Sequence, residues 1–257
     1  MDQIITQNKF YYYALISWIG LAIVTFIVLL LFKPSTYGRH TNIHRLSISN
    51  NFGWFLMELP TVLLMPYFLF KDLEENNIVI LCFFVLYMIH YSNRVFIFPL
   101  KIRTQGKKIP VLIVLSAILF NICNTYFIGY YFSQATSLYN FDWFFSPYFI
   151  IGLLVFLTGA YINHQSDTIL INLRKMSENG YKIPYGGFFR YISCPNHFGE
   201  IIEWIGFAIL TWSWPTFVFA FWTIANLLPR SIQHHHWYKQ QFANYPKNRK
   251  AILPYLL

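Results

Sequence analysis

The sequence contains few charged residues, and only a minority of these are acidic. Charged residues make up 11% of the 257 positions, against about 25% in typical soluble domains. Ten residues are Asp or Glu and 19 are Lys or Arg, while hydrophobic residues reach 56%. This composition excludes an ordinary water-soluble domain. Several apolar runs of about 20 residues predict an all-α integral membrane protein.

Cysteine and nucleotide-binding loops are also scarce. The three cysteines, Cys82, Cys123 and Cys194, match no zinc or redox spacing. No GxGxxG motif follows a strand, so a dinucleotide is expected to bind in a cavity among helices and not on a doubly wound sheet. We find no internal repeat, linker or soluble domain, which predicts one membrane domain over residues 1–257.

Hydropathy and charge together predict seven membrane-spanning helices. The spans are expected at about 10–32, 52–70, 78–98, 109–132, 143–163, 197–213 and 214–230. Seventeen of the 19 Lys and Arg residues fall in the segments 33–51, 93–108, 164–197 and 229–257. The positive-inside rule places these segments in the cytosol. Because the last two are both basic, the chain must cross twice between them, turning near Ser213. This puts the N-terminus outside and the C-terminus in the cytosol.

The net charge of +9 is explained by the same basic segments. They are short and lie next to the membrane, where anionic headgroups and a phosphate-bearing cofactor are the expected partners. No nucleic-acid partner is predicted, and no feature indicates an obligate protein partner.

Two polar residues inside the spans suggest carbonyl chemistry. An ionisable group in a membrane span costs at least a few kcal/mol, so it usually has a function. Among apolar side chains Glu58 favours its protonated form and can donate a hydrogen bond to a carbonyl oxygen. Tyr91 can donate a second, and the pair would activate a ketone conjugated to a C=C bond. The alternative for Glu58 is an ion pair with a cationic side chain.

Further polar residues lie at helical spacing near the ends of later spans. Asn196, Glu200 and Glu203 share one helix face, and Asn163 and Asp167 lie four residues apart. Such stripes suit one polar ligand. Helix–helix hydrogen bonding is the alternative.

Histidine spacing raises a competing interpretation. Eight histidines include the pair His40 and His44 in an HxxxH arrangement. A membrane di-iron hydroxylase or desaturase needs several such clusters, and no HxxHH occurs, so no metal is expected. A sterol-binding membrane protein without turnover is a further alternative.

Eight motifs resemble the steroid 5α-reductase (3-oxo-5α-steroid 4-dehydrogenase) family. They are KPSTYGRH (33–40), WFLMELP (54–60), HYSNR (90–94), NHQSD (163–167), YKIPYGG (181–187), YISCPNHFGEIIEW (191–204), HHHWY (234–238) and YPKNRKAILP (245–254). The motifs follow one another in order over nearly the whole chain. Met57 departs from the mammalian steroid-reducing pattern, which has Gln before the glutamate.

The resemblance implies a seven-helix fold with NADPH in a cavity that opens to the cytosol. It implies that cofactor contacts come from Lys107, Asn163, Asp167, Arg174, Lys182, Asn196, Glu200, His234, Tyr238 and Arg249, with Arg103 as an alternative to Lys107. The carbonyl-binding pair falls on Glu58 and Tyr91, and Trp54, Met57 and Trp204 are expected to contact the substrate.

The implied reaction is hydride transfer to the β-carbon of an enone, which is C5 of a 3-oxo-Δ4-steroid. Reductases of very-long-chain enoyl-CoA or of polyprenoids belong to the same superfamily and remain alternatives. The expected partners are a steroid or other lipid enone and membrane lipid. The expected location is a bacterial inner membrane or the endoplasmic reticulum.

Overall fold

The computed structural model describes residues 8–32, 46–71, 77–104, 106–175 and 181–257, most of them in helices. The helices are α1 (Lys9–Phe32), α2 (Asn50–Lys71), α3 (Ile78–Ser92), α4 (Phe98–Lys101), α5 (Val111–Gln134), α6 (Pro147–Lys175), α7 (Pro195–Thr211) and α8 (Trp214–Gln241). A π-helical turn, Asn93–Ile97, joins α3 to α4. Two three-residue strands, β1 (Ser47–Ser49) and β2 (Lys108–Pro110), pair antiparallel. Apart from this small ribbon, the described residues agree with the all-α prediction.

Five helical segments in the described ranges are long and apolar enough to cross a membrane. They are Lys9–Phe32, Asn50–Phe70, Ile78–Lys101, Val111–Gln134 and Pro147–Arg174. These segments overlap the first five predicted spans, so the chain is a multi-pass helical membrane protein. Beyond them, α7 and α8 separate at Trp212, whose φ of 47° lies in the left-handed region, next to the expected turn. The count of seven spans and their orientation remain predictions.

The helix of the fifth predicted span, α6, begins and ends later than predicted. Residues Phe141–Phe145 form a separate 3-10 turn, and α6 begins at Pro147. The Ser146 hydroxyl accepts a hydrogen bond from the Phe149 N–H at 3.1 Å, and proline is favoured in a first helical turn. The helix then continues to Lys175, so Asn163 and Asp167 lie within it and not at its end.

The described residues form two compact units. The first comprises residues 8–18, 46–149 and 213–215, and the second comprises 19–32, 150–212 and 216–257. In the first unit, the fully buried Tyr11 donates its hydroxyl proton to the Phe127 carbonyl at 2.7 Å, which ties the start of α1 to α5. The α5 helix also packs against α2 and thereby positions the polar groups described below.

The second unit depends on close contact between α6 and α7. Glycines occur seven residues apart on both helices, at Gly152 and Gly159 on α6 and at Gly199 and Gly206 on α7. A Cβ added to any of the four would overlap backbone atoms of the facing helix. Small residues allow such close approach between membrane helices. The two backbones therefore come near enough for their polar side chains to meet.

Candidate active site

Glu58 lies on α2 where Pro60 interrupts the backbone hydrogen bonding. The Glu58 carbonyl accepts the Thr61 hydroxyl proton at 2.6 Å. The preceding Met57 carbonyl accepts from the side-chain amide of Asn121 on α5 at 2.7 Å. The same Asn121 nitrogen lies 3.1 Å from Glu58 Oε2. Side-chain donors thus supplement the backbone at two carbonyls just before Pro60, and one of these donors, Asn121, also holds the carboxyl group.

Tyr91 lies on α3 with 4% of its surface exposed. Its ring packs against that of Tyr87, one turn earlier, with centroids 4.5 Å apart, and the two hydroxyls are hydrogen-bonded. Tyr87 is fully buried, and its hydroxyl lies 3.1 Å from Thr125 Oγ1 on α5. Tyr87 also interacts electrostatically with Glu58. The structure therefore brings Glu58 and Tyr91 into one polar cluster within the first unit.

The other predicted residues of the first unit lie around this cluster or at its surface. Met57 is buried against Ile109 and Val114, and the half-buried Trp54 packs against the same group. Trp54 also meets Phe98 edge-on, with ring centroids 5.5 Å apart. Lys107 is exposed just before β2. Contact of Trp54 and Met57 with substrate remains a prediction.

In the second unit, α6 and α7 form a polar face. Asn163 is 4% exposed, and its amide nitrogen donates to the Asn196 carbonyl at 2.9 Å. It also lies 3.5 Å from Glu200 Oε2, at the limit of a hydrogen bond. Asp167, one turn further along α6, is 8% exposed. Asn163, Asn196 and Glu200 thus meet through hydrogen bonds between two helices, which the sequence analysis gave as the alternative to a ligand site. Their contact with a ligand remains a prediction.

A cationic pocket of about 570 Å³ lies elsewhere in the second unit. It is lined by Tyr185, Gly186, Gly187, Arg190, Tyr191, Pro246 and Arg249. Arg249 is 3% exposed, and its guanidinium lies 4.9 Å from the Tyr185 ring centroid and 5.4 Å from that of Tyr245. Its Nε and Nη1 atoms have no hydrogen-bond partner among the described residues. A buried cation with uncommitted N–H groups suits an anionic ligand.

A hydrogen-bonded group that the sequence did not indicate lies next in sequence to several residues of the pocket. Ser193 Oγ lies 2.6 Å from both His235 Nδ1 and the Tyr245 hydroxyl, and 3.1 Å from the Lys250 carbonyl. One hydroxyl proton and two lone pairs suffice for these three partners, provided that His235 and Tyr245 donate. Backbone bonds from Ser193 N to Lys250 O and from Lys250 N to Tyr191 O fix the same segment.

Burial also sets the protonation state of this group. Desolvation, followed by the positive charge of Lys239, lowers the pKa of His235 to about 4. Burial raises the pKa of Tyr245, and its hydrogen bond to Ser193 and the nearby Arg249 partly oppose this. Both side chains are therefore neutral near pH 7, and a neutral Tyr245 can donate to Ser193 as the proton arrangement requires.

Four further predicted residues of the second unit have separate surroundings. Tyr238 is buried and stacks on Tyr245 with ring centroids 5.3 Å apart. Arg174 is exposed and lies 6.0 Å from the Tyr181 ring centroid, while Lys182 is exposed in the following segment. The His234 ring lies 5.7 Å from that of His197.

Trp204 is enclosed by aromatic side chains of its own unit. It is 1% exposed and meets Phe219 edge-on at 4.6 Å and Phe207 at 5.7 Å between centroids. Its predicted contact with substrate is untested.

Within the part of the chain that the structure describes, no three His, Cys, Asp or Glu side chains are grouped to hold a metal ion. The HxxxH pair His40 and His44 lies outside the described residues, as does the 33–40 motif.

Comparison with known proteins decides the family. The model of the 3-oxo-5-alpha-steroid 4-dehydrogenase family matches residues 107–257. A steroid 5-alpha-reductase DET2 of Gossypium hirsutum is 38% identical over 98% of this chain and 99% of its own length. The chain belongs to the 3-oxo-5-alpha-steroid 4-dehydrogenase family. Another relative, 3-oxo-5-alpha-steroid 4-dehydrogenase 1 of Homo sapiens, is 41% identical over 86% of each chain.

Membership in this family confirms the predicted enzyme class, an oxidoreductase acting on CH–CH groups. The roles of individual residues are not tested by the similarity. The sequence analysis assigned no role to Asn121, Tyr87 or Thr125. Their spacing contained a usable signal, since Tyr87 precedes Tyr91 by one helical turn and Thr125 follows Asn121 by one.

Proposed function

We propose that this chain reduces the Δ4 C=C bond of a 3-oxo-Δ4-steroid with NADPH as the reductant. The observation that carries the proposal is the presence of two polar groups within apolar helices, Glu58 hydrogen-bonded to Asn121 and Tyr91 hydrogen-bonded to Tyr87. They occur in a chain related along its length to steroid 5-alpha-reductases. A carboxyl and a phenol are the two kinds of donor that polarise a ketone in other enzymes.

Glu58 and Tyr91 act on the ketone oxygen of the substrate. A protonated Glu58 and the Tyr91 hydroxyl each donate a hydrogen bond to it, which draws electrons from the conjugated C=C bond. The β-carbon then becomes electrophilic, and negative charge that develops on the oxygen is stabilised by the same two donors. The apolar surroundings strengthen both hydrogen bonds, since little water competes for them.

The residues of the second unit fit a cofactor with phosphate groups. The buried guanidinium of Arg249 offers Nε–H and Nη1–H to an anion, and the exposed Arg190 lines the same pocket. Asn163 and Glu200 provide amide and carboxylate groups for the uncharged parts of a dinucleotide. NADPH would supply a hydride for the β-carbon, and a proton from water or a nearby acid completes the α-carbon.

The test is oxidation of NADPH at 340 nm by the purified protein in detergent or nanodiscs. Progesterone or testosterone should support turnover, whereas their 5α-reduced products, which lack the C=C bond, should not. A very-long-chain enoyl-CoA and a polyprenoid enal serve as competing substrates. Turnover with either of these and none with the steroids would contradict the proposed substrate class, and no oxidation with any of them would contradict the proposed activity.

A further inference from the structure

One face of α5 contacts Glu58 directly and is linked to Tyr91 through Tyr87. Asn121 and Thr125 lie one helical turn apart, so their side chains project from the same face. Both are buried, with 4% and 0% of their surfaces exposed. Asn121 contacts Glu58 on α2, and Thr125 contacts Tyr87, the hydrogen-bond partner of Tyr91, on α3.

The hydrogen bonds of Asn121 determine which oxygen of Glu58 is available. A backbone carbonyl can only accept, so the atom that Asn121 presents to the Met57 carbonyl at 2.7 Å must be its NH₂ nitrogen. The same nitrogen donates to Glu58 Oε2 at 3.1 Å. Its two protons are therefore both used, and the orientation of the amide is fixed. Because Oε2 accepts a hydrogen bond, the carboxyl proton belongs on Oε1.

Thr125 sets the direction of the hydrogen bonds that end at Tyr91. If the Tyr91 hydroxyl donates to a ketone, it must accept from Tyr87, since each hydroxyl has one proton. The Tyr87 hydroxyl must then accept from Thr125 Oγ1, which lies 3.1 Å away. The protons all point from α5 towards the substrate, and each hydrogen bond in such a series strengthens the next.

We infer that Asn121 and Thr125 are positioning residues of the reaction, which hold the donor protons of Glu58 and Tyr91 towards the substrate ketone. The inference rests on the proposed function, because it assigns the two donors to that ketone. Asn121 and Thr125 act through their neighbours and need not touch the substrate themselves.

The first test compares Asn121→Leu with Asn124→Leu. Asn124 is an equally buried asparagine three residues further along α5, and its hydrogen bonds go to Trp18 and the Phe120 carbonyl. Both variants are expected to unfold at lower temperature. Only Asn121→Leu should reduce kcat, by about 3- to 10-fold, as expected for a lost hydrogen bond to a neutral carboxyl group, while KM for the steroid changes little. Equal kcat in the two variants would overturn the role of Asn121.

A double-mutant cycle separates positioning from a structural effect. In a Glu58→Leu background the Asn121 side chain no longer has a hydrogen-bonding group to orient, so Asn121→Leu should change kcat by no more than about twofold. A full additive loss in that background would show that Asn121 acts independently of Glu58 and would refute the inference.

Thr125 provides a second test, in which the substitutions alter the side chain only slightly. Thr125→Val removes the hydroxyl while keeping the shape, and should lower kcat by about 3- to 10-fold, the effect of one neutral hydrogen bond. Thr125→Ser keeps the hydroxyl and should retain most of the activity. In a Tyr91→Phe background, Thr125→Val should cause no further loss of kcat. Equal activity of the Val and Ser variants would contradict the role of Thr125.

Failure of this inference differs from failure of the proposed function. If Glu58→Leu and Tyr91→Phe both retain wild-type kcat, the assignment of the ketone donors is wrong. If those two variants lose activity while Asn121→Leu and Thr125→Val retain it, the donors stand and only the positioning role is wrong.

Discussion

The close contact of α6 and α7 predicts a large effect from a single methyl group at Gly159. A Cβ at this position would lie 2.6 Å from both Glu203 Cα and the Gly199 carbonyl oxygen. Favourable contacts between such atoms need about 3.5 Å, so the helices must separate by roughly 1 Å. That shift would stretch the 2.9 Å hydrogen bond from Asn163 to the Asn196 carbonyl beyond its useful range.

Two costs add in Gly159→Ala. Overpacking of a tight contact costs about 1–3 kcal/mol, and loss of the hydrogen bond costs about 1 kcal/mol more. We therefore expect a loss of roughly 2–4 kcal/mol and an unfolding temperature lower by several degrees. NADPH affinity should fall as well, because Asn163 and Glu200 move apart. Thermal unfolding in detergent with and without NADPH measures both effects.

Gly20→Ala is the matched control for this prediction. Gly20 lies within α1, and no atom would lie within 4 Å of an added Cβ. Alanine is preferred to glycine in a helix by about 1 kcal/mol, so this variant should be as stable as wild type or more so. If Gly159→Ala unfolds at the wild-type temperature and binds NADPH normally, the packing argument is wrong.

Four further changes have defined outcomes. Tyr91→Phe should lower kcat by about 100-fold through loss of one ketone donor, and a wild-type kcat would remove Tyr91 from the mechanism. Arg174→Ala should raise KM for NADPH with little change in kcat, and an unchanged KM would refute its role. Arg249→Lys keeps the charge but loses the planar N–H groups between the tyrosine rings, so KM for NADPH should rise by about 10-fold; a KM equal to wild type would exclude Arg249 from the anion site. The pKa of His235 is about 4 in the folded protein, so the unfolded chain, with an ordinary histidine pKa of about 6.5, binds the proton more readily than the folded one. The free energy of unfolding should therefore decrease as pH falls from about 6.5 to 4. In His235→Asn the unfolding temperature should change less between pH 7.5 and 5 than in wild type. The same change in both proteins would contradict this role of His235.

The membrane helices were predictable because their signal is local. Apolar runs of bilayer length identified the first five spans within a few residues, apart from the start and end of α6. That start depends on the Ser146 side chain capping the helix, a contact that hydropathy does not detect. The π-helical turn before Pro99 and the pairing of β1 with β2 also escaped prediction. In the ribbon, the partners Ile48 and Ile109 are far apart in sequence.

The candidate site was predictable only in part, for a similar reason. Polar residues inside apolar helices are conspicuous, and this singled out Glu58 and two stripes, Asn163 with Asp167 and Asn196 with Glu200 and Glu203. The partners that orient them were harder to find. Asn121 donates to the Met57 carbonyl on another helix, and Ser193 contacts two residues that are more than 40 positions away. Such contacts depend on how the helices pack, which spacing along one chain does not specify.

The central claim, conjugate reduction of a steroid enone with Glu58 and Tyr91 on the ketone, is tested most directly with isotope-labelled cofactor. The purified protein is incubated with testosterone and NADPH that carries deuterium at the transferable position, and the product is examined by NMR. We predict a 5α-reduced ketone with deuterium at C5, formed much more slowly by Glu58→Gln and Tyr91→Phe. Deuterium at C3 in a product that keeps its C=C bond would show carbonyl reduction instead and would contradict the account.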